Sequence, residues 1–251
     1  MTARVAEIWR HPIKSHGRES LARVTLREGR TMPWDRRWAV AHDAAKADGA
    51  EWAPCQNFSR GAKAPKLQAI SARSTPADGT VTLTHPERDE ITINPDDAAD
   101  EARFIDWVKP ISPTDRALPE RVLRVEDRGM TDTDYPSISI LNAASHAQVA
   151  ERIGREISIL RWRGNLVLEG LEPWAERRWI GKRIKLGGAV LQLREEIVRC
   201  LATTASTRSG ERDADTLGAL MTGWGHQKFG VYAEVVRSGE VQKNDPVEIL
   251  S

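Results

Sequence analysis

Cys200 closes the run Glu195-Glu196-Ile197-Val198-Arg199-Cys200, an apolar strand that ends on a thiol, with Arg199 before it and Thr203 and Thr204 just after. A thiolate attacks electrophiles and binds soft metals, and a nearby guanidinium with hydroxyl donors favours that form. Read alone, the same cysteine also suits a small buried hydrophobe. Lys14 and Ser15 side by side offer an ammonium and a hydroxyl, a pair that holds a phosphate but is common in surface loops. Arg163 presents a planar fork for phosphate or carboxylate, and Asn165 both donates and accepts, as the edge of a polar heterocycle requires. Arg36 follows Asp35 and reads first as one half of a surface ion pair. Asn142 stands where a helix begins, with Ser145 three residues in; such a start caps the helix and can also bind an anion.

Other chemistries find less support. The six histidines (11, 16, 42, 85, 146 and 226) never fall at zinc-like spacing with a cysteine. The two cysteines, Cys55 and Cys200, cannot hold a four-cysteine iron-sulfur cluster. Cys55 is read as structural or as a thiol on the substrate side. Net charge is +1 with acids and bases mixed along 251 residues, which gives no general reason to bind nucleic acid or a membrane surface. No apolar run approaches the length needed to cross a bilayer. Residues Met1 to Ser15 carry charges and a proline where a secretory signal needs a continuous apolar segment, so a cytoplasmic location is expected.

The elements that must position these residues are mostly strands. Arg4 to Trp9 and Ser20 to Arg27 read as strands on either side of the Lys14 loop, and Asp35 to Ala41 as a turn entering a third. Phe58 to Pro65 is a basic loop that faces an anionic ligand or solvent. Residues 79–85 and 90–94 alternate strictly and predict a hairpin. Asp96 to Val108 predicts a helix with Ala98, Ala102 and Ile105 on its inner face. Proline-rich and turn-rich tracts place a boundary near residue 125, giving domains 1–125 and 126–251. In the second half a strand over 137–141 runs into the Asn142 helix, and Ile157 to Trp162 reads as another strand. Lys182 to Leu193 predicts a hairpin around Gly187-Gly188, and Asp215 to Thr222 a short helix. Strands over 229–236 and 240–250 close the chain around Ser238-Gly239. The fold class is therefore mainly β with a few helices, barrel-like in the second half.

His11-Pro12-Ile13-Lys14-Ser15, Asp35-Arg36-Arg37-Trp38, Arg161-Trp162-Arg163-Gly164-Asn165-Leu166-Val167, Val198-Arg199-Cys200, Phe229-Gly230-Val231-Tyr232, Gly239-Glu240-Val241 and Asn244-Asp245-Pro246-Val247 occur in this order. Together they resemble the MOSC family, named for the C-terminal domain of molybdenum-cofactor sulfurases. The likeness implies an N-terminal MOSC-associated β-barrel followed by a MOSC β-barrel. It implies a molybdenum cofactor, a molybdopterin, held between them, with Cys200 as the metal ligand. By the same resemblance Lys14, Ser15, Arg36, Asn142, Ser145, Arg163, Asn165 and Arg199 hold its phosphate and pterin. Softness favours a third sulfur on a metal already bound by two dithiolene sulfurs.

The second half looks like the mitochondrial amidoxime-reducing component, except that Val198 stands where that relative has serine. No ferredoxin-like or aminotransferase-like stretch is present in the sequence. The resemblance thus implies either an oxidoreductase for N-hydroxylated or N-oxide substrates, served by a separate electron-donor reductase, or a carrier. A carrier would deliver cofactor or sulfur, with a persulfide on Cys200, to an apo-molybdoenzyme.

Overall fold

Apolar alternation folds most of the chain into strands. A computed structural model, which describes residues 3–250, orders the first half as β1 (Arg4–Arg10), β2 (Glu19–Leu21), β3 (Arg23–Leu26), β4 (Ala39–His42), β5 (Ser71–Thr75), β6 (Thr80–His85), β7 (Arg88–Ile93), α1 (Ala98–Val108) and β8 (Pro119–Leu123). The second half follows as β9 (Ile138–Asn142), α2 (Ala143–Ile153), β10 (Leu166–Glu169), β11 (Arg183–Leu186), β12 (Ala189–Val198), α3 (Thr216–Trp224), β13 (Lys228–Arg237), β14 (Gly239–Gln242) and β15 (Val247–Leu250).

The largest sheet has eight strands in the order β15-β11-β12-β13-β9-β10-β1-β2 and curls into a half-barrel. Only β9 and β10 run parallel in it. Its inner face buries Ile8, Ile140, Leu166, Leu191, Val231 and Leu26 in one core. Two strands from the start of the chain, β1 and β2, complete this sheet, and β3 pairs with β14 beside it. Val5, Ile8, Val24 and Leu26 therefore share a core with the second half, while Ile13 packs into the first half's own layer. Residues 39–123 build their own layer, where β5, β6 and β7 pack Ile70, Val81, Leu83 and Ile93 against Phe104 and Trp107 of α1.

Several expected elements take a different form. The inner face expected for α1 holds at Ile105, which is buried, but Ala98 and Ala102 are exposed, and Phe104, Trp107 and Val108 complete the buried side. Two aromatic rings remove far more apolar surface from water than two methyl groups, so they set the helix's rotation. Asp97 caps it, accepting from the N–H groups of Ala99 and Asp100. Ile157 to Trp162 is not a strand; Ile159–Trp162 is a 3-10 turn opened by the Ser158 hydroxyl, which accepts from Leu160 N–H. Residues 240–250 are not one strand either. Asn244 adopts φ 72° and breaks the segment, so that β14 pairs with β3 and β15 with β11.

Gly129 holds the Arg36 loop in place by close approach. A Cβ there would lie 2.2 Å from the Asp35 carbonyl oxygen, and Met130 N–H donates to the Arg36 carbonyl at 2.7 Å. Because backbone cannot yield as a flexible side chain can, Gly129→Ala is expected to destabilise the fold by about 1–3 kcal/mol. A thermal melt of that variant checks this through a Tm lowered by several degrees.

Candidate functional site

The pairing of β12 with β13 ends at Val198 opposite Lys228. Arg199 N–H still reaches the Gln227 carbonyl at 2.8 Å, and then Cys200 leaves the sheet edge to begin the 3-10 turn Leu201–Thr204. Cys200 is exposed, which removes the reading of it as a buried hydrophobe. It lines a cavity of about 640 Å3 to which both halves of the chain contribute. The hydroxyls expected to serve its sulfur point elsewhere: Thr203 Oγ1 donates to the Cys200 carbonyl and Thr204 Oγ1 to the Leu201 carbonyl.

Lys14, Ser15, Arg36, Arg163, Arg199 and Cys200 all line this one cavity. Three of them have a backbone that L residues rarely adopt, with φ of 64° at Ser15, 50° at Arg36 and 51° at Arg163. A left-handed residue other than glycine costs about 1–2 kcal/mol. Each of the three loops holds its side chain on the cavity wall at that expense, a pattern that marks binding sites.

Charge is concentrated on the wall. Six lining side chains are cationic (Lys14, Arg36, Arg60, Arg161, Arg163, Arg199) and four are acidic (Asp132, Asp134, Glu195, Glu196), a surplus of two positive charges. Lys14 Nζ donates to the Met130 carbonyl at 2.7 Å and to Asp132, and Arg36 pairs with buried Asp35 and donates to the Arg163 carbonyl at 3.0 Å. Burial would raise Asp35, which is enclosed, whereas Asp132 is half-exposed; in both, the cationic partners win. Lys14 and Arg36 hold Asp132 down at about 2, and Arg36 and His11 keep Asp35 below the usual carboxylate range.

The arginines are less well served. Burial, then Arg36 and Arg18, pulls Arg163 down to about 9, and burial pulls Arg199 down to about 10. Arg199 Nε donates to the Phe229 carbonyl at 2.8 Å and Nη1 to the Trp162 carbonyl at 2.7 Å. Among the described residues its Nη2 is buried with no partner. A buried donor left unmade costs about 1–3 kcal/mol, more for a charged group, so the wall is organised to receive an acceptor.

The family model described as the MOSC domain matches residues 127–248, and the one described as the MOSC N-terminal beta barrel domain matches residues 2–109. The chain belongs to the MOSC family.

The crystal structure of the YUAD protein from Bacillus subtilis shares the fold at a TM-score of 0.51 and 16% identity, over 99% of this chain and 96% of that one. YiiM from Geobacillus stearothermophilus (20% identity, TM-score 0.36) and from Escherichia coli (19%, 0.35) each align over 45% of this chain and 54% of theirs. No curated protein matches the sequence significantly.

MOSC domains are associated with molybdenum-cofactor binding and with sulfurase-like proteins. The residues present fit such a group. An anionic phosphate answers the two surplus charges and the orphaned Arg199 Nη2, and an exposed thiol on the same wall suits a soft metal. Among the described residues no cluster of three or more His, Cys, Asp or Glu side chains could hold a metal unaided. No helix there is long and apolar enough to cross a membrane.

Three residues implied by the MOSC resemblance lie off this wall. Asn142 caps α2 by accepting from Ala144 N–H at 2.9 Å, and its Nδ2 donates to Glu176 at 2.8 Å. Ser145 Oγ donates to the same carboxylate at 3.1 Å. Glu176 is fully buried and its carboxyl is pushed up by burial, so these donors are what make it tolerable there. Asn165 Oδ1 accepts from Ser139 N–H and Oγ, and its Nδ2 donates to the Trp9 carbonyl. Asn165 thus braces β9 and β10 one layer behind the wall that Ser139 lines. Asn142→Ala removes a cap and exposes Glu176 to a dry surrounding, with an expected loss of about 3 kcal/mol. Its melting temperature should fall while the molybdenum bound per folded chain stays at the wild-type level.

Several wall residues were not singled out from sequence. Tyr232 comes with the Phe229-Gly230-Val231-Tyr232 motif, where Gly230, at φ 75°, lets β13 approach the Ile140 carbonyl. Asp132 lies within a turn-rich tract and Trp52 in a loop whose position no periodicity reveals, whereas Arg60 belongs to the basic loop over 58–65 already expected to face an anionic ligand or solvent.

Proposed function

We propose that the chain binds a molybdenum cofactor and reduces N-hydroxylated or N-oxide substrates with electrons from a separate reductase. The observation that carries this reading is the exposed Cys200 thiol on a wall with surplus positive charge and an unmatched Arg199 donor. In this reading Lys14, Arg36, Arg163 and Arg199 hold the cofactor's phosphate and pterin, Ser15 adds a hydroxyl, and Cys200 ligates the metal. Asn142, Ser145 and Asn165 act from behind, keeping α2, β9 and β10 in place. When bound, the molybdenum centre supplies two-electron chemistry at the substrate's nitrogen-bound oxygen. Tyr232 and Asp132 share the cavity and are the protein groups placed to donate to and accept from a polar substrate. Asp132 is ionised at neutral pH, held down by Lys14 and Arg36, so it serves as an acceptor there.

A second reading draws on the surroundings of the thiol. Val198 is 71% exposed and Leu201 51% exposed, so two apolar side chains flank Cys200 in the open. Such a rim suits contact with another protein, as a carrier handing cofactor or sulfur to an apo-molybdoenzyme requires. Protein loaded with the cofactor and given a chemical reductant separates the two. Turnover of an amidoxime supports the reductase; binding without turnover, followed by activation of an added apo-enzyme, supports the carrier.

A further inference from the structure

Arg60 belongs to two neighbouring hollows. It lines the Cys200 cavity beside Cys55. It also lines a cleft of about 240 Å3 on the 39–123 layer, where Lys63 and Arg116 are the other cations and no carboxylate contributes to the lining. Arg116 is paired with Asp115 at 3.2 Å. Among the described residues, neither Arg60 nor Lys63 has a carboxylate within 4.0 Å. Arg60 Nη1 instead donates to Cys55 Sγ at 2.9 Å.

The local backbone puts the two free charges together. Lys63 N–H and Ala64 N–H both donate to the Arg60 carbonyl at 2.9 Å, closing a single turn that brings positions 60 and 63 to one side. Phe58, Pro113 and Pro119 supply an apolar wall to the same cleft. An apolar hollow with a few convergent polar groups is the usual form of a small-molecule site. Two uncompensated cations define the sign of what it takes.

We propose that this cleft is a subsite for an anionic substituent of the substrate, a carboxylate or a phosphate held between Arg60 and Lys63 while the reducible nitrogen group lies in the Cys200 cavity. The proposal rests on the reductase reading for the identity of the reacting end. Arg60, shared by both hollows, is then a specificity-determining residue. Neutral substrates use the cavity alone, and anionic ones gain the cleft as well.

Calorimetric dissociation constants for benzamidoxime and for its 4-carboxy and 4-phosphono derivatives, measured on the cofactor-loaded full chain, test this without relying on turnover. The anionic probes are expected to bind about tenfold tighter than the neutral one, the scale of one charge-assisted contact. The stronger of the two identifies carboxylate or phosphate as the preferred group. That preference disappears in Arg60→Gln and shrinks in Lys63→Gln, whose exposed side chain can be removed without threat to the fold. Arg73→Gln, an exposed cation on β5, retains it in full. Equal constants for all three probes, or a preference that survives both Arg60→Gln and Lys63→Gln, overturn the proposal. Preferential binding without turnover leaves the subsite standing and removes the reductase reading; turnover without preference does the reverse.

Discussion

Arg163→Gln will melt at a higher temperature than wild type when both are free of cofactor, and will lose most of the gain that wild type shows on loading. Arg163 is a cation that burial and the nearby charges of Arg36 and Arg18 make uncomfortable, pulling it down to about 9. Its Nη2 donates to the Gly17 carbonyl at 3.0 Å, and glutamine gives up that bond. A neutral hydrogen bond contributes about 1 kcal/mol net, whereas relieving a half-buried cation of its crowding by Arg36 and Arg18 returns about twice that. We therefore expect the cofactor-free variant to gain about 1 kcal/mol. With cofactor the sign reverses, because a buried guanidinium that meets a phosphate contributes about 2–3 kcal/mol through charge-assisted hydrogen bonds. A ligand that binds only the native state at about a hundredfold its Kd adds about 2.7 kcal/mol, so that loss is most of the effect. Melts of both proteins with and without cofactor give the answer directly; a variant less stable in both states would show that Arg163 serves only the fold.

Lowering the pH from 7 to 5 is expected to remove about 4 kcal/mol of stability through two buried histidines. His11 is held down to about 3 by burial, helped by Arg163 and Arg36, and His16 to about 4, mainly by burial. His16 Nδ1 lies 2.7 Å from the Lys14 carbonyl, which can only accept, so Nδ1 carries the proton. Nε2 is then the bare nitrogen, buried without a partner, with the ring edge-on to Phe104 at 5.7 Å. Both imidazoles are neutral when folded and protonate near 6.5 when unfolded. The unfolded chain thus binds more protons below pH 6.5, and stability falls as pH drops through the window from 6.5 toward 4 and 3. Each histidine contributes about 2 kcal/mol of that loss at pH 5. Asp35 adds nothing in this range, since its lowered value makes its contribution fade only at far lower pH. Urea midpoints at pH 7 and pH 5 measure the drop, and His16→Phe should show a clearly smaller one.

Local patterns carried much of the fold into view. Strict alternation marked the β6–β7 hairpin, the glycine pair marked the turn between β11 and β12, and the capping Asn142 marked the start of α2. What local pattern misses is partner choice. Nothing in residues 240–250 says that they divide between β3 and β11, nor in residues 4–26 that they finish the second half's sheet.

The candidate site was legible to the same extent. Cations and hydroxyls within contiguous motifs, such as Lys14-Ser15 and Arg199-Cys200, do meet on one wall. Asn142, Ser145 and Asn165 have the right chemistry for a pterin, yet buried Glu176 and Ser139 already occupy their hydrogen-bonding groups. The Asp35–Arg36 pair was legible as neighbours, though it is buried and not on the surface; the counter-charge Asp132 and the left-handed backbones of Ser15, Arg36 and Arg163 are properties of the assembled loops. Only the folded chain displays them.

In the proposed function the Cys200 sulfur is the protein's bond to molybdenum. X-ray absorption at the molybdenum edge, recorded on cofactor-loaded wild type and on Cys200→Ser, measures it most directly. We predict one sulfur fewer around the metal in the variant, with the melting temperature of the cofactor-free protein unchanged. An identical sulfur shell in the two proteins, or a wild-type chain that takes up no molybdenum when offered the cofactor, would contradict it.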